Sequence, residues 1–325
     1  MVIAAVSVAM LAGGSGAAQA ALVRIERTDV PAADTSVPKV PNVIAEHTDY
    51  LLSIAAGAGE SNALVVERTP AAMLVSDTVA ISAGAGCERV DDTSVRCPTP
   101  LGAGASFVRQ RIGAVTLGDG DDRFDGPAAG ATGAGEGNID GGAGADAVVN
   151  AARAIGGPGD DRLVATVAEG GPGDDEIAAD ESDGGDGNDT LLPRRAEGST
   201  LQRGGAGDDV VTGGTNGDVL DGGGGADRLH GGAGDDRLLP GPDADLIDGG
   251  AGSDTVALTY ASSGVRVDLS APGPVDPTGE GDAMSAIESA EGGSGDDVLI
   301  GADGDGTLSA GAGNDRLEGR GGNDT

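Results

Sequence analysis

Between Gly204 and Ala257 one aliphatic residue returns every nine positions, as Val211, Leu220, Leu229, Leu238, Ile247 and Val256, with polar residues and glycines in between. The period runs without a break through GGAGDDVVT, GGTNGDVLD, GGGGADRLH, GGAGDDRLL, PGPDADLID and GGAGSDTVA. A fixed short period marks a solenoid, in which each repeat covers its neighbour. The leading glycines enter positive φ freely and allow close backbone approach, so the front of each unit predicts a tight turn. Three residues remain for a short strand. With a side-chain period of two, only the middle one points inward. Two units then close one coil, with turns on both sides and a thin aliphatic core, and unit n stacks on unit n+2.

Position six of every unit is an aspartate: Asp209, Asp218, Asp227, Asp236, Asp245 and Asp254. Stacking places aspartates of same-side turns about one strand spacing apart, roughly 4.8 Å. Like charges at that distance repel by about 1 kcal/mol in water and by several times more at lower dielectric. A hard cation held by these carboxylates and by turn carbonyl oxygens reverses the sign of that interaction. Oxygen-only ligands in a flexible turn suit calcium better than zinc. On this geometry Asp227 faces two stacked neighbours, Asp209 and Asp245, and its replacement by Ala is expected to cost more than that of Asp146.

These units match the GGxGxDxUx nonapeptide, and the chain resembles the RTX calcium-binding proteins, whose repeats form a parallel β-roll with calcium between successive turns on each side. The resemblance implies an all-β fold, a parallel β-roll or right-handed β-helix solenoid, with several calcium ions in its turns. Within the block, Asn216 and Asp243 replace the fourth-position glycine, and Pro240 and Pro242 stiffen one turn. The sites at Asp218 and Asp245 therefore depart most from the pattern.

The repeat continues on either side. From residue 117 to residue 203 it is interrupted: LGDGDDRFD, GGAGADAVV, GGPGDDRLV, GGPGDDEIA and GGDGNDTLL supply Asp122, Asp146, Asp161, Asp175 and Asp189, while TGAGEGNID has Gly137 at position six. Units beginning at Gly156, Gly170 and Gly184 are fourteen residues apart. They predict wider coils with one glycine turn each, stacked on one side. Residues 258–291 abandon the period; TVALTYASSGVRVDLSAPG reads as two strands of a hairpin-like insert and DAMSAIESAEG as a short helix or a turn. Residues 292–325 resume it with Asp297, Asp315 and Asp324 at position six and Gly306 in place of a ligand. The chain stops in mid-repeat, which suggests a truncated product or one capped by other means.

Ahead of the repeats, Val2 to Ala12 is an apolar run leading to Ala18-Gln19-Ala20, the pattern of a secretory signal peptide over residues 1–20. The alternative is a buried or membrane-anchoring helix; the run is too short to span a bilayer. Thr28 to Asn42 reads as a linker. Residues 21–116 otherwise carry short β-like runs at Leu51 to Ala55, Ala63 to Glu67 and Met73 to Ser82, and hold the only cysteines, Cys87 and Cys97. In a secreted chain that isolated pair is expected to close a hairpin as a disulfide. This segment resembles the β-rich start of secreted actinobacterial RTX-type proteins.

Composition sharpens the picture. With 62 glycines, 1 % aromatic residues, no tryptophan and a formal net charge of -35 over 325 residues, the metal-free chain has too little apolar volume and too much repulsion for an ordinary globular core. Such acidity argues against nucleic-acid binding. No H-E-x-x-H, G-x-S-x-G or Walker motif is present, and the only lysine is Lys39. His230 fills a variable position nine and reads as a solvated strand end. The expected protein is secreted, calcium-binding and non-enzymatic, without an integral membrane span. The alternatives are an adhesin or matrix protein that uses the roll as a spacer for a cell-surface or matrix partner, and a secreted hydrolase with its catalysis in residues 21–116.

Overall fold

The eighth position of the nonapeptides points inward on short strands: Val210–Thr212, Arg237–Leu239 and Thr255–Ala257 bury Val211, Leu238 and Val256 completely, while Val219–Gly224, Arg228–Ala233 and Leu246–Ala251 run six residues, on into the glycine turn. The computed structural model describes residues 21–29, 48–55, 63–68, 72–76, 81–83, 88–89, 94–98, 108–127, 137–270 and 282–325. The apolar leader, most of the linker, and Cys87 with the disulfide it would form lie outside the described residues. Among those described there is no helix.

The strands stack into a parallel β-solenoid of about nine turns. In the regular block the stacking is n on n+2. Val211 lies beside Leu229 and Leu229 beside Ile247 on one face; Gln202 lies beside Leu220 and Leu220 beside Leu238 on the other. Main-chain hydrogen bonds of this ladder satisfy the strands, and the stacked aliphatics supply the core.

The fourteen-residue units form tighter coils, not wider ones. Arg162 pairs with Glu176 and Glu176 with Thr190, so a full circuit takes 14 residues there against 18 from Val210 to Arg228. Only one side of each circuit carries a glycine turn. The other is a corner in which the small residues Ala151, Ala165 and Ala179 are buried. A shorter circuit draws the two faces together, and the interior shows it: Leu163, Ile177 and Leu191 occupy one face, Ala154, Ala168 and Ser182 the other. All the glycine turns of this section lie on one side.

The segment ahead of the repeats is built into the solenoid. Thr48–Ala55 runs parallel to Val108–Asp119, and Ala63–Val65 parallel to Arg123–Asp125, which makes them the first coil. Ala21–Asp29 and Ala72–Ser76 then add antiparallel strands to that coil. These pairings occupy the main-chain hydrogen-bonding edge of that coil. Glu88–Arg89 pairs antiparallel with Ser94–Pro98, placing Cys97 in a hairpin.

The two strands read as a hairpin-like insert do not pair with each other. Thr255–Ala257 joins the parallel ladder between Arg237–Leu239 and Ser289–Glu291. Arg266–Asp268 starts a separate three-stranded ladder with Val298–Ile300 and Arg316–Glu318. The stretch read as helix or turn forms two short strands, Ala283–Ser285 and Ser289–Glu291.

Candidate metal centre

A turn that must bring its carboxylate back over its own backbone has no room for a side chain at position one. Gly204 shows why: a methyl group there would collide with Oδ2 of Asp209 and with the carbonyl oxygen of Gly222, the first residue of the turn stacked above. Positive φ is needed a step later, at Gly205 (123°) and Gly207 (134°). At the fourth position of another turn Asp243 adopts φ 85° in place of glycine, a conformation that aspartate tolerates better than most residues.

The turns align the position-six aspartates into ladders. The main-chain N–H of each aspartate donates to Oδ1 of the next on the same side. One ladder runs Asp122, Asp146, Asp161, Asp175, Asp189, Asp209, Asp227, Asp245, with steps of 2.7 to 2.8 Å. It crosses from the tight coils into the regular block without interruption. The second, on the opposite side, starts at Thr200 and runs Asp218, Asp236, Asp254. A third step pair joins Val265, Asp297 and Asp315. Asp146 therefore stands between two rungs just as Asp227 does, and the asymmetry expected between them is absent. Asp324 is exposed at the end of the chain.

The second carboxylate oxygen is the chemically informative one. Oδ2 of Asp146, Asp161, Asp175, Asp189, Asp209, Asp227, Asp236, Asp245, Asp254 and Asp297 is buried and meets no hydrogen-bond donor. Burial raises Asp146, Asp161, Asp175, Asp189, Asp209, Asp227, Asp236, Asp245 and Asp254 above the ordinary 3.8, against the pull of the main-chain N–H bond and with neighbouring carboxylates adding to the rise. Asp161, Asp175 and Asp209 reach about 7, and Asp245 about 8. Asp146, Asp189, Asp227 and Asp236 reach about 6. A buried anionic oxygen with carbonyl neighbours and no donor calls for a proton or a cation. Asp218 is the exception in the regular block: Asn216 reshapes its turn, and the Gly214 N–H donates to its Oδ2 at 2.6 Å.

A further ladder was not anticipated from sequence. Position five carries a second side-chain acceptor, facing solvent and running the opposite way. Asp160 accepts from the N–H of Asp174, Asp174 from Asn188, Asn188 from Asp208, and Asp208 from Ala226, at 2.8 to 3.0 Å. The recurring Asp-Asp and Asn-Asp pairs thus combine two tasks, an outer acceptor that ties turns together and an inner carboxylate. His230 lies on the outer face with Nδ1 3.3 Å from Asp248.

The site fits calcium. Its available donors are carboxylate and carbonyl oxygens, the preference of a hard cation. Among the described residues no three acidic, histidine or cysteine side chains converge on one point, so an ion in these turns would draw its remaining ligands from the main chain. The family model for the RTX calcium-binding nonapeptide repeat matches residues 203–238, 241–257 and 291–325, in four copies. No curated protein matches the chain. The chain carries RTX calcium-binding repeats on a parallel β-solenoid. The aspartate ladder continues the same turn geometry below the matched residues, down to Asp122.

Proposed function

We propose that this is a secreted, non-enzymatic calcium-binding β-roll protein that becomes ordered on meeting extracellular calcium. The observation that carries the reading is the run of buried, donor-less Oδ2 atoms along both sides of the stack. In the metal-free chain these carboxylates oppose the fold; with calcium between turns they hold it together. Sites of this class in extracellular modules bind at roughly 10⁻⁴ to 10⁻³ M. Binding is cooperative because each ion joins two coils, and its free energy is at the same time folding free energy. The chain would stay unfolded where calcium is scarce and become rigid outside the cell. The apolar leader ahead of Ala21 supports export. Far-UV circular dichroism during a calcium titration tests the reading: a β signal that appears with calcium and disappears with chelator is expected, and a β-rich metal-free form indifferent to both would overturn it.

A further inference from the structure

Residues 258–290 lie outside the matched repeats, yet both ladders of the regular block end in acids from this stretch. The Asp245 N–H donates to Oδ1 of Asp282 at 3.0 Å, and the Ala283 N–H returns to the Asp245 carbonyl at 2.8 Å. This is the same double tie that joins Asp227 to Asp245 and Leu246. On the other side the Asp254 N–H donates to Oε2 of Glu288 at 2.9 Å. The turn is much shorter there, only Ala286 to Glu288 between two strands. Even so, the Ala286 carbonyl oxygen lies against Gly249 and Asp254, where the Gly249 carbonyl lies against Gly231 and Asp236 one coil below. Asp282 is fully buried, and the buried Oδ2 atoms of Asp245 and Asp254 have no donor.

A comparison between the two kinds of ladder shows what position six selects. Where only an acceptor is needed, an amide serves: Asn188 takes the place of aspartate in the outer ladder. In the inner ladders every side chain that accepts a rung N–H is a carboxylate, including the two from the irregular stretch. An amide would satisfy the same N–H without adding a charge to an acidic stack. The charge is retained, and a cation is what it serves.

We propose that Asp282 and Glu288 are calcium ligands that close the two aspartate ladders, so that residues 282–291 bind calcium as part of the roll. The inference rests on the calcium reading above and extends it to residues that the repeat pattern does not mark.

The test compares the full chain with Asp282→Asn, Glu288→Gln and, as a control in the same stretch, Asp268→Asn. Bound calcium is counted by equilibrium dialysis, and the midpoint of ordering is followed by circular dichroism. Asn and Gln keep an oxygen for the rung N–H, so a purely structural role predicts no change in either readout. The expected result is one ion fewer for each of the first two variants and a midpoint raised about threefold or more, since ligand charge sets affinity in such sites; the control should match the parent. An unchanged ion count and midpoint in both variants overturn the proposal. If a variant stays unordered at saturating calcium, Asp282→Glu or Glu288→Asp decides: recovery of the ion count supports the proposal, and no recovery overturns it. A parent chain that binds no calcium would instead defeat the calcium reading itself.

Discussion

The main-chain N–H of Asp209 donates to Oδ1 of Asp227 across 2.8 Å, while Oδ2 of Asp227, in a residue 1 % exposed, meets no donor. One carboxylate thus ties two coils through one oxygen and leaves the other without a donor, the place proposed above for a cation. The two roles can be separated. Asp227→Ala removes both and strands the buried Asp209 N–H, at a cost of about 1–3 kcal/mol. Asp227→Asn keeps the acceptor and removes the charge. Denaturant unfolding in saturating calcium is expected to rank Ala well below Asn, while a calcium titration should show both with raised midpoints. Asp146→Ala should cost as much as Asp227→Ala, because Asp122 and Asp161 flank it in the same way. A markedly milder effect at Asp146 would mean that the ladder is weaker in the tight coils.

The raised carboxyls make the metal-free chain sensitive to pH in a direction that can be worked out. A carboxyl whose pKa is higher in the folded state than its unfolded value is better protonated when folded. Its contribution to stability is fully present below about 3.8 and is lost as pH rises through the folded value, about 6 for Asp227, about 7 for Asp209 and about 8 for Asp245. In chelator, β structure should therefore grow as pH falls from about 8 toward 4. Calcium affinity should fall over the same window, because protons compete for the ligand oxygens. Circular dichroism across that range with and without calcium checks both; loss of order on acidification in chelator would contradict the assignment of these acids as buried and unpaired.

The strict period made the regular block legible. Leu220, Leu238 and Val256 recur at fixed spacing, and the n to n+2 stacking follows from three-residue strands between turns. What the pattern concealed are units whose side chains depart from it while their backbone does not. Tyr260 to Asp268 is one: Val265 stands at position six and buried Val267 at position eight, beneath Asp297 and Leu299. Arg195 to Arg203 is another, with Thr200 under Asp218 and Gln202 in the core. Stacking needs a main-chain ladder and a turn of compatible shape, neither of which demands the consensus residues. Glu288 was hidden for a different reason, since its turn is only three residues long. The tight coils were misjudged because their spacing was compared with one repeat of nine rather than with the two that make a circuit.

Gln202 marks the seam between the tight coils and the regular block. It is fully buried, and neither its amide oxygen nor its nitrogen has a partner. Its neighbours in the stack are Ser182, whose hydroxyl is likewise unpartnered, and Leu220. Burying an amide without hydrogen bonds costs about 1–3 kcal/mol in proteins. Gln202→Leu, which extends the column of Leu220 and Leu238 by one step, should stabilise the calcium-loaded protein by about 1–2 kcal/mol. The readout is the urea midpoint at saturating calcium. A destabilised variant would show that the space beside Ser182 is too narrow for a branched side chain.

Two glycines of the regular block, one at the fixed first position and one at the variable third, differ in what their places demand. At Gly204 a methyl group would collide with both Oδ2 of Asp209 and the Gly222 carbonyl oxygen, and neither can retreat without breaking the ladder. At Gly224 a methyl group would meet nothing within 4 Å, and φ there is not in the left-handed region. Gly224→Ala should therefore be neutral or stabilise by about 0.4–1 kcal/mol, since alanine restricts the unfolded chain. Gly204→Ala should cost about 1–3 kcal/mol from overpacking alone. It should also raise the calcium midpoint, because the obstructed oxygen is the one proposed to hold the ion. Paired calcium titrations and urea unfolding of the two variants decide the matter: equal tolerance at both positions would mean that Asp209 can move its carboxylate out of the turn, and the cradle formed by the position-one glycine would not be needed.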